Sequence, residues 1–127
     1  MPLTTIVAMI ALLEFIVFAL QVGRARGAYG VEAPATSGHP EFDKRYRVQM
    51  NTLEQLVVFL PAIFGFAWFV GDLWAAGLGA VFVIGRALYA RQYVADPSSR
   101  GPGMMMSFIP NLVLVLGAMI GAGLSLL

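Results

Sequence analysis

Residues 3–23 form an apolar run broken by a single carboxylate, Glu14, and three more apolar segments follow at about 47–70, 73–93 and 103–127. A helix of about 20 apolar residues spans the hydrocarbon core of a bilayer. Only 12% of the residues are charged, while 59% are hydrophobic. A soluble domain carries roughly 25% charged residues. The pattern therefore predicts an all-α integral membrane four-helix bundle, a single domain over residues 1–127. No basic region precedes the first run, and Arg24 and Arg26 follow it. That order suits a retained helix and not a cleaved signal peptide.

The charges are as informative as the apolar runs. All eight Lys and Arg residues lie in or beside two connections, 24–46 and 94–102. The middle connection carries only Asp72. By the positive-inside rule, both basic connections are expected in the cytoplasm, with both termini and the Gly71-Asp72 turn on the other side. The expected location is an integral protein of the bacterial inner membrane.

Within the spans, Glu14 is expected to face other helices, paired or protonated, and to serve helix contact. Residues 24–40 are punctuated by Gly27, Gly30, Pro34, Ser37, Gly38 and Pro40 and read as a loop. The second helix is expected to begin near Pro40 to Phe42, with Glu41 and Asp43 at its positive end. Kinks are expected at Pro61 and Pro110. Gly117, Gly121 and Gly123 predict close helix packing, and Met104 to Met106 read as packing residues. The chain has no cysteine, so any thiol chemistry must use a thiol brought by a substrate. His39 has no companion His or Cys, and no metal site is expected. No nucleic-acid partner is expected either.

The most polar stretch is PEFDKRYRVQMNTLE, residues 40–54. Arg47, Asn51 and Glu54 are spaced at +4 and +7, which places them on one helix face. Arg86, Tyr89 and Tyr93 share a face of the third helix by the same rule. Polar groups beside lipid are costly unless they meet a partner or a ligand. The bland alternatives are an Arg–Asn–Glu cluster that ties helices together and tyrosines that form a membrane belt. Both groups lie at the same, cytoplasmic end, together with Arg100. Such a mouth suits a small anionic ligand carrying carboxylates and an amine, such as a small peptide.

These residues resemble the MAPEG family, the membrane-associated proteins in eicosanoid and glutathione metabolism. The strongest match is GHPEFDKRYRVQMNTLE, residues 38–54. A second is Arg86-Ala-Leu-Tyr89 with Tyr93 and, seven residues later, Arg100. A third is Gln21-Val22 with Arg26. The resemblance implies a homotrimer with glutathione held between adjacent subunits near the cytosolic face. It implies that Arg26, Arg47, Gln49, Asn51, Glu54, Tyr89 and Tyr93 bind glutathione. It implies that Arg100 stabilises the thiolate, since a fixed cation lowers a thiol's pKa. Two positions depart from the family's leukotriene-synthesising branch: Gln55 replaces a binding tyrosine, and Gly27 replaces a second arginine. These departures weaken the case for leukotriene synthesis, and a short chain with no cytosolic tail and an all-purpose apolar pocket looks more like a prokaryotic microsomal-type transferase.

The leading expectation is thus a glutathione transferase. Its partners would be glutathione, an apolar electrophile or a lipid hydroperoxide, and membrane lipid. The alternative is a non-catalytic lipid-binding or scaffold protein, which the retained Arg100 and Arg47/Asn51/Glu54 set disfavours. A transporter subunit is weaker still, because no continuous polar path is evident.

Overall fold

A computed structural model describes residues 1–127 as four long helices. They are α1 (Pro2–Tyr29), α2 (Pro40–Phe69), α3 (Asp72–Ala95) and α4 (Gly101–Leu124), with one 3-10 turn, Pro97–Ser99, before α4. All four are long and apolar enough to cross a membrane. The shortest have 24 residues, and at about 1.5 Å per residue each reaches beyond a hydrocarbon core of about 30 Å. The protein is an all-α integral membrane four-helix bundle.

The central pair is α2 and α3, each packed on α1 at one side and α4 at the other. Ala8 and Ala11 of α1, Leu56, Phe59, Ile63 and Phe66 of α2, Phe82 of α3 and Leu114 of α4 form the core. The Phe59 and Phe82 rings stack at 4.0 Å. Large apolar side chains such as Leu13, Leu20, Trp68, Trp74, Ile84 and Met119 point outward. In lipid that exposure carries little cost, so helix association must rest on close packing and polar contacts.

Glycines along α3 and α4 let the helices approach closely. A Cβ at Gly85 would lie 2.7 Å from the Met106 backbone, and one at Gly103 would collide with the backbone of Tyr89. Gly117 meets the Phe66 ring and Gly121 meets Phe69, as the sequence suggests, whereas Gly123 faces open space. Of the three methionines only Met106 packs inward; Met104 and Met105 are exposed. Helices α2 and α4 continue unbroken through Pro61 and Pro110.

Charge sorts the two ends. The backbone N–H groups of Leu3 and Thr4 donate to the Asp72 carboxylate at 3.1 and 2.9 Å. That carboxylate satisfies amides at the start of α1 that have no partner inside the helix. The N-terminus therefore shares an end with the α2–α3 turn, and Gly121 near the C-terminus packs on Phe69 at that same end. At the opposite, basic end the Lys44 ammonium donates to the Val94 carbonyl at 3.4 Å.

The first helix is longer than expected. It continues through Arg24 and Arg26 to Tyr29, because the residues after 23 form helix readily apart from Gly27. Gly30 ends it at φ 70°, a left-handed cap open to glycine. His39 is more than a loop residue. Its Nδ1 accepts from the Glu41 N–H at 3.1 Å, which caps α2, and its ring stacks on Tyr29 at 4.4 Å.

Candidate functional site

The polar stripe of α2 lies at the basic end. Arg47 Nη1 sits 3.4 Å from Glu54 Oε1, with the two side chains 51% and 61% exposed. A pair this open holds its geometry weakly and leaves both groups free to turn to a ligand. Asn51 is different. Its Oδ1 accepts a hydrogen bond of 2.7 Å from Arg86 Nη2 on α3. One acceptor of Asn51 is thereby used within the subunit, so what it offers outward is chiefly its amide N–H groups.

Arg86 joins these elements. It is 1% exposed, and its guanidinium lies over the Tyr89 ring at 4.3 Å. Tyr89 in turn stacks on Tyr93 at 5.6 Å. Tyr89 is buried against Phe18 and Val48, while Tyr93 is half-buried and presents the more open ring. Sequence reasoning put Arg86 on the tyrosine face and left it out of the binding set. Its role as the tie between Asn51 and Tyr89 needs the α2–α3 contact, although the Arg-x-x-Tyr spacing already hinted at the ring contact.

Arg86 also belongs to a buried polar layer. On α1, Glu14 lies between Ala11, which packs in the main core, and Phe18, which packs on Tyr89. Thr52 on α2 and Arg86 on α3 occupy the same level between those two clusters. Glu14 Oε1, Thr52 Oγ1 and Arg86 Nε are all buried and find no hydrogen-bond partner in the chain. Glu14 faces the interior as expected, but it forms no ion pair there.

Arg100 is exposed, and its Nη1 donates to the Pro97 carbonyl at 2.8 Å. The segment before it is pinned. Ser98 donates both its N–H and its hydroxyl to Asp96, which holds that carboxyl below the usual carboxylate range. The Ser99 hydroxyl donates to the Gln92 carbonyl at 3.1 Å, and the Gly103 N–H donates to Gln92 Oε1 at 3.1 Å. Arg47, Asn51 and Glu54 share a face of α2, and Arg86 joins it to Tyr89 and Tyr93; Arg100 lies at the same end, three residues before Gly103, which packs on the Tyr89 backbone.

Gln49 and Arg26 lie elsewhere. At about 100° per residue, Gln49 falls about 200° around α2 from Arg47. It shares a face with Phe42, seven residues earlier. Over the Phe42 ring lies Arg26, at 4.8 Å, with its Nη1 donating to the Ala35 carbonyl at 2.7 Å. One subunit thus shows two polar faces on opposite sides of α2. Gln55 is bound inward, where its side-chain oxygen accepts from Asn111 Nδ2 of α4 at 3.1 Å.

Comparison with known proteins gives the chain its family. The family model described as MAPEG matches residues 4–120. An uncharacterized protein of Synechocystis is 41% identical over 91% of this chain and 84% of its own length. Human microsomal glutathione S-transferase 2 is 38% identical over 80% of this chain and 70% of its own. Bovine leukotriene C4 synthase is 36% identical over 65% of this chain and 55% of its own. With the family match running through all four helices, this chain belongs to the MAPEG family.

Proposed function

We propose that the protein is a membrane-bound glutathione transferase working at the basic end of the bundle. The observation that carries this reading is the Arg86 tie, which joins the Arg47, Asn51 and Glu54 face of α2 to Tyr89 and Tyr93 of α3; Arg100 lies at the same end of the bundle. Arginines and amide donors suit the carboxylates and backbone of a tripeptide, and Glu54 suits its ammonium. Arg26 and Gln49 face away from that group. A second subunit offering that opposite face would complete the ligand shell, which is the sense of a homotrimer here. Cytosolic glutathione would enter from the basic end, on the inner face of a bacterial membrane.

The chemistry follows from a bound thiol beside Arg100. The thiol loses its proton to solvent, and the cation stabilises the sulfur anion. The thiolate attacks an electrophilic carbon of an apolar substrate, a C–S bond forms, and the leaving group departs with the electron pair. Positioning and fixed charge are the protein's contribution. With a lipid hydroperoxide, two glutathiones would be oxidised to the disulfide while the hydroperoxide is reduced to an alcohol and water.

The test is direct. Adding glutathione to purified protein should raise the ultraviolet absorbance of a thiolate, and an apolar electrophile should then be conjugated. Binding without either signal would favour a lipid-binding protein without catalysis.

A further inference from the structure

A groove opens on another face of α3 from the Arg86, Tyr89 and Tyr93 group. It measures about 680 Å³ and lies between the basic-end halves of α1 and α3. On α3 it is lined by Ala87, Ala90, Arg91 and Val94. That stripe is centred about 120° around the helix from the Arg86, Tyr89 and Tyr93 face, at about 100° per residue. The groove opens on a different face of α3 from that group, with Phe18 bordering both.

Its chemistry has two parts. Alanines at 25 and 28 of α1 and at 87 and 90 of α3 recur at i, i+3 and hold the two helix walls low. Phe18 closes the floor toward the membrane interior. Arg24, Arg45 and Arg91 stand around the lining. Arg45 is partly engaged, with Nη1 donating to the Glu41 carbonyl at 2.7 Å and carboxylate at 3.0 Å. Arg24 and Arg91 are exposed and make no hydrogen bond or ion pair. Two free guanidinium groups over a small-residue, apolar channel match an anion that carries a hydrocarbon chain. Arginine forks recognise phosphate, and a free inorganic anion would have no use for the alanine walls.

We propose that this groove binds an anionic phospholipid, its headgroup phosphate on Arg24 and Arg91 and one acyl chain along the alanine walls. Basic residues near a membrane surface each add to anionic-lipid binding, and removing two such charges should weaken it about thirtyfold.

The experiment uses the full chain purified in detergent and native mass spectrometry with phosphatidylglycerol or phosphatidylcholine. The parent should retain phosphatidylglycerol in preference to phosphatidylcholine. The double variant Arg24→Gln/Arg91→Gln should lose that preference. Ala87→Phe, which fills the groove and keeps every charge, should also lower retention. Neither change removes a contact that holds the fold, so thermal unfolding midpoints should match the parent's. Equal retention of both lipids by the parent would overturn the proposal. So would displacement by inorganic phosphate alone, which marks a free-anion site. A loss in the double variant with none in Ala87→Phe would mean diffuse attraction and would also overturn it. Disulfide linkage between copies carrying Ala28→Cys would show that a second copy covers the groove, with the same consequence.

Discussion

Arg86 and Arg47 carry the same charge at the same end of the bundle, and burial gives them different work. Arg86 is almost fully buried and donates to Asn51 while covering Tyr89. Arg86→Ala would leave Asn51 without its donor, at a cost of about 1.5–3 kcal/mol for a charge-assisted hydrogen bond. Arg86→Lys should recover only part, since an ammonium lacks the planar fork that meets both partners. Thermal unfolding in detergent reads this difference. Arg47→Ala removes an exposed pair worth at most about 1 kcal/mol to stability. Glutathione affinity should nevertheless fall by about 1.5–3 kcal/mol in a binding titration if Arg47 meets a carboxylate. Arg100 separates binding from chemistry. Arg100→Ala should raise the pKa of the bound thiol and lower turnover, with affinity changing less. Each unit of pKa corresponds to about 1.4 kcal/mol. A pH–rate profile with an apolar electrophile, beside a thiolate absorbance titration, reads the shift. Unchanged profiles would move suspicion to Tyr89 or Tyr93.

At the level of helices, the α3–α4 contact holds the site together. The start of α4 approaches the backbone of Tyr89 through Gly103, and Gln92 ties down the same residue. Gly103→Ala must push α4 away from α3, and overpacking of this kind costs about 1–3 kcal/mol. It should also loosen Tyr89 and Tyr93 and so weaken glutathione binding. Gly123→Ala meets nothing, and its effect should stay within about 0.5 kcal/mol. Unfolding midpoints of the two variants side by side test whether packing, and not glycine content, governs this bundle.

For the whole molecule, the sorting of charge makes topology testable. Both termini share an end with Asp72, and the basic connections occupy the other. Reporters active on only one side of the membrane should place both termini outside the cytoplasm. The two polar faces of α2 test assembly. If a neighbour supplies Arg26 and Gln49, an Arg26→Ala subunit and an Arg47→Ala subunit, each defective alone, should recover part of the activity when co-assembled, because some interfaces then join two intact faces. No recovery would mean that each subunit works with its own residues.

The four apolar helices, the gathering of the basic residues at one end and the Arg47–Asn51–Glu54 stripe were legible in the sequence, because hydropathy and the helical period are properties of neighbouring residues along one chain. The same locality made Gly123 look like Gly117 and Gly121, and Met104 and Met105 look like Met106. Only the rotation of each helix against its neighbours separates them. Tertiary structure alone decided that Asn51 is held by Arg86 and that Glu14 meets the level of Thr52 and Arg86 without an ion pair. A buried polar atom takes whatever partner the packing brings within about 3 Å. That distance is set between helices, where no pattern along a single one can specify it.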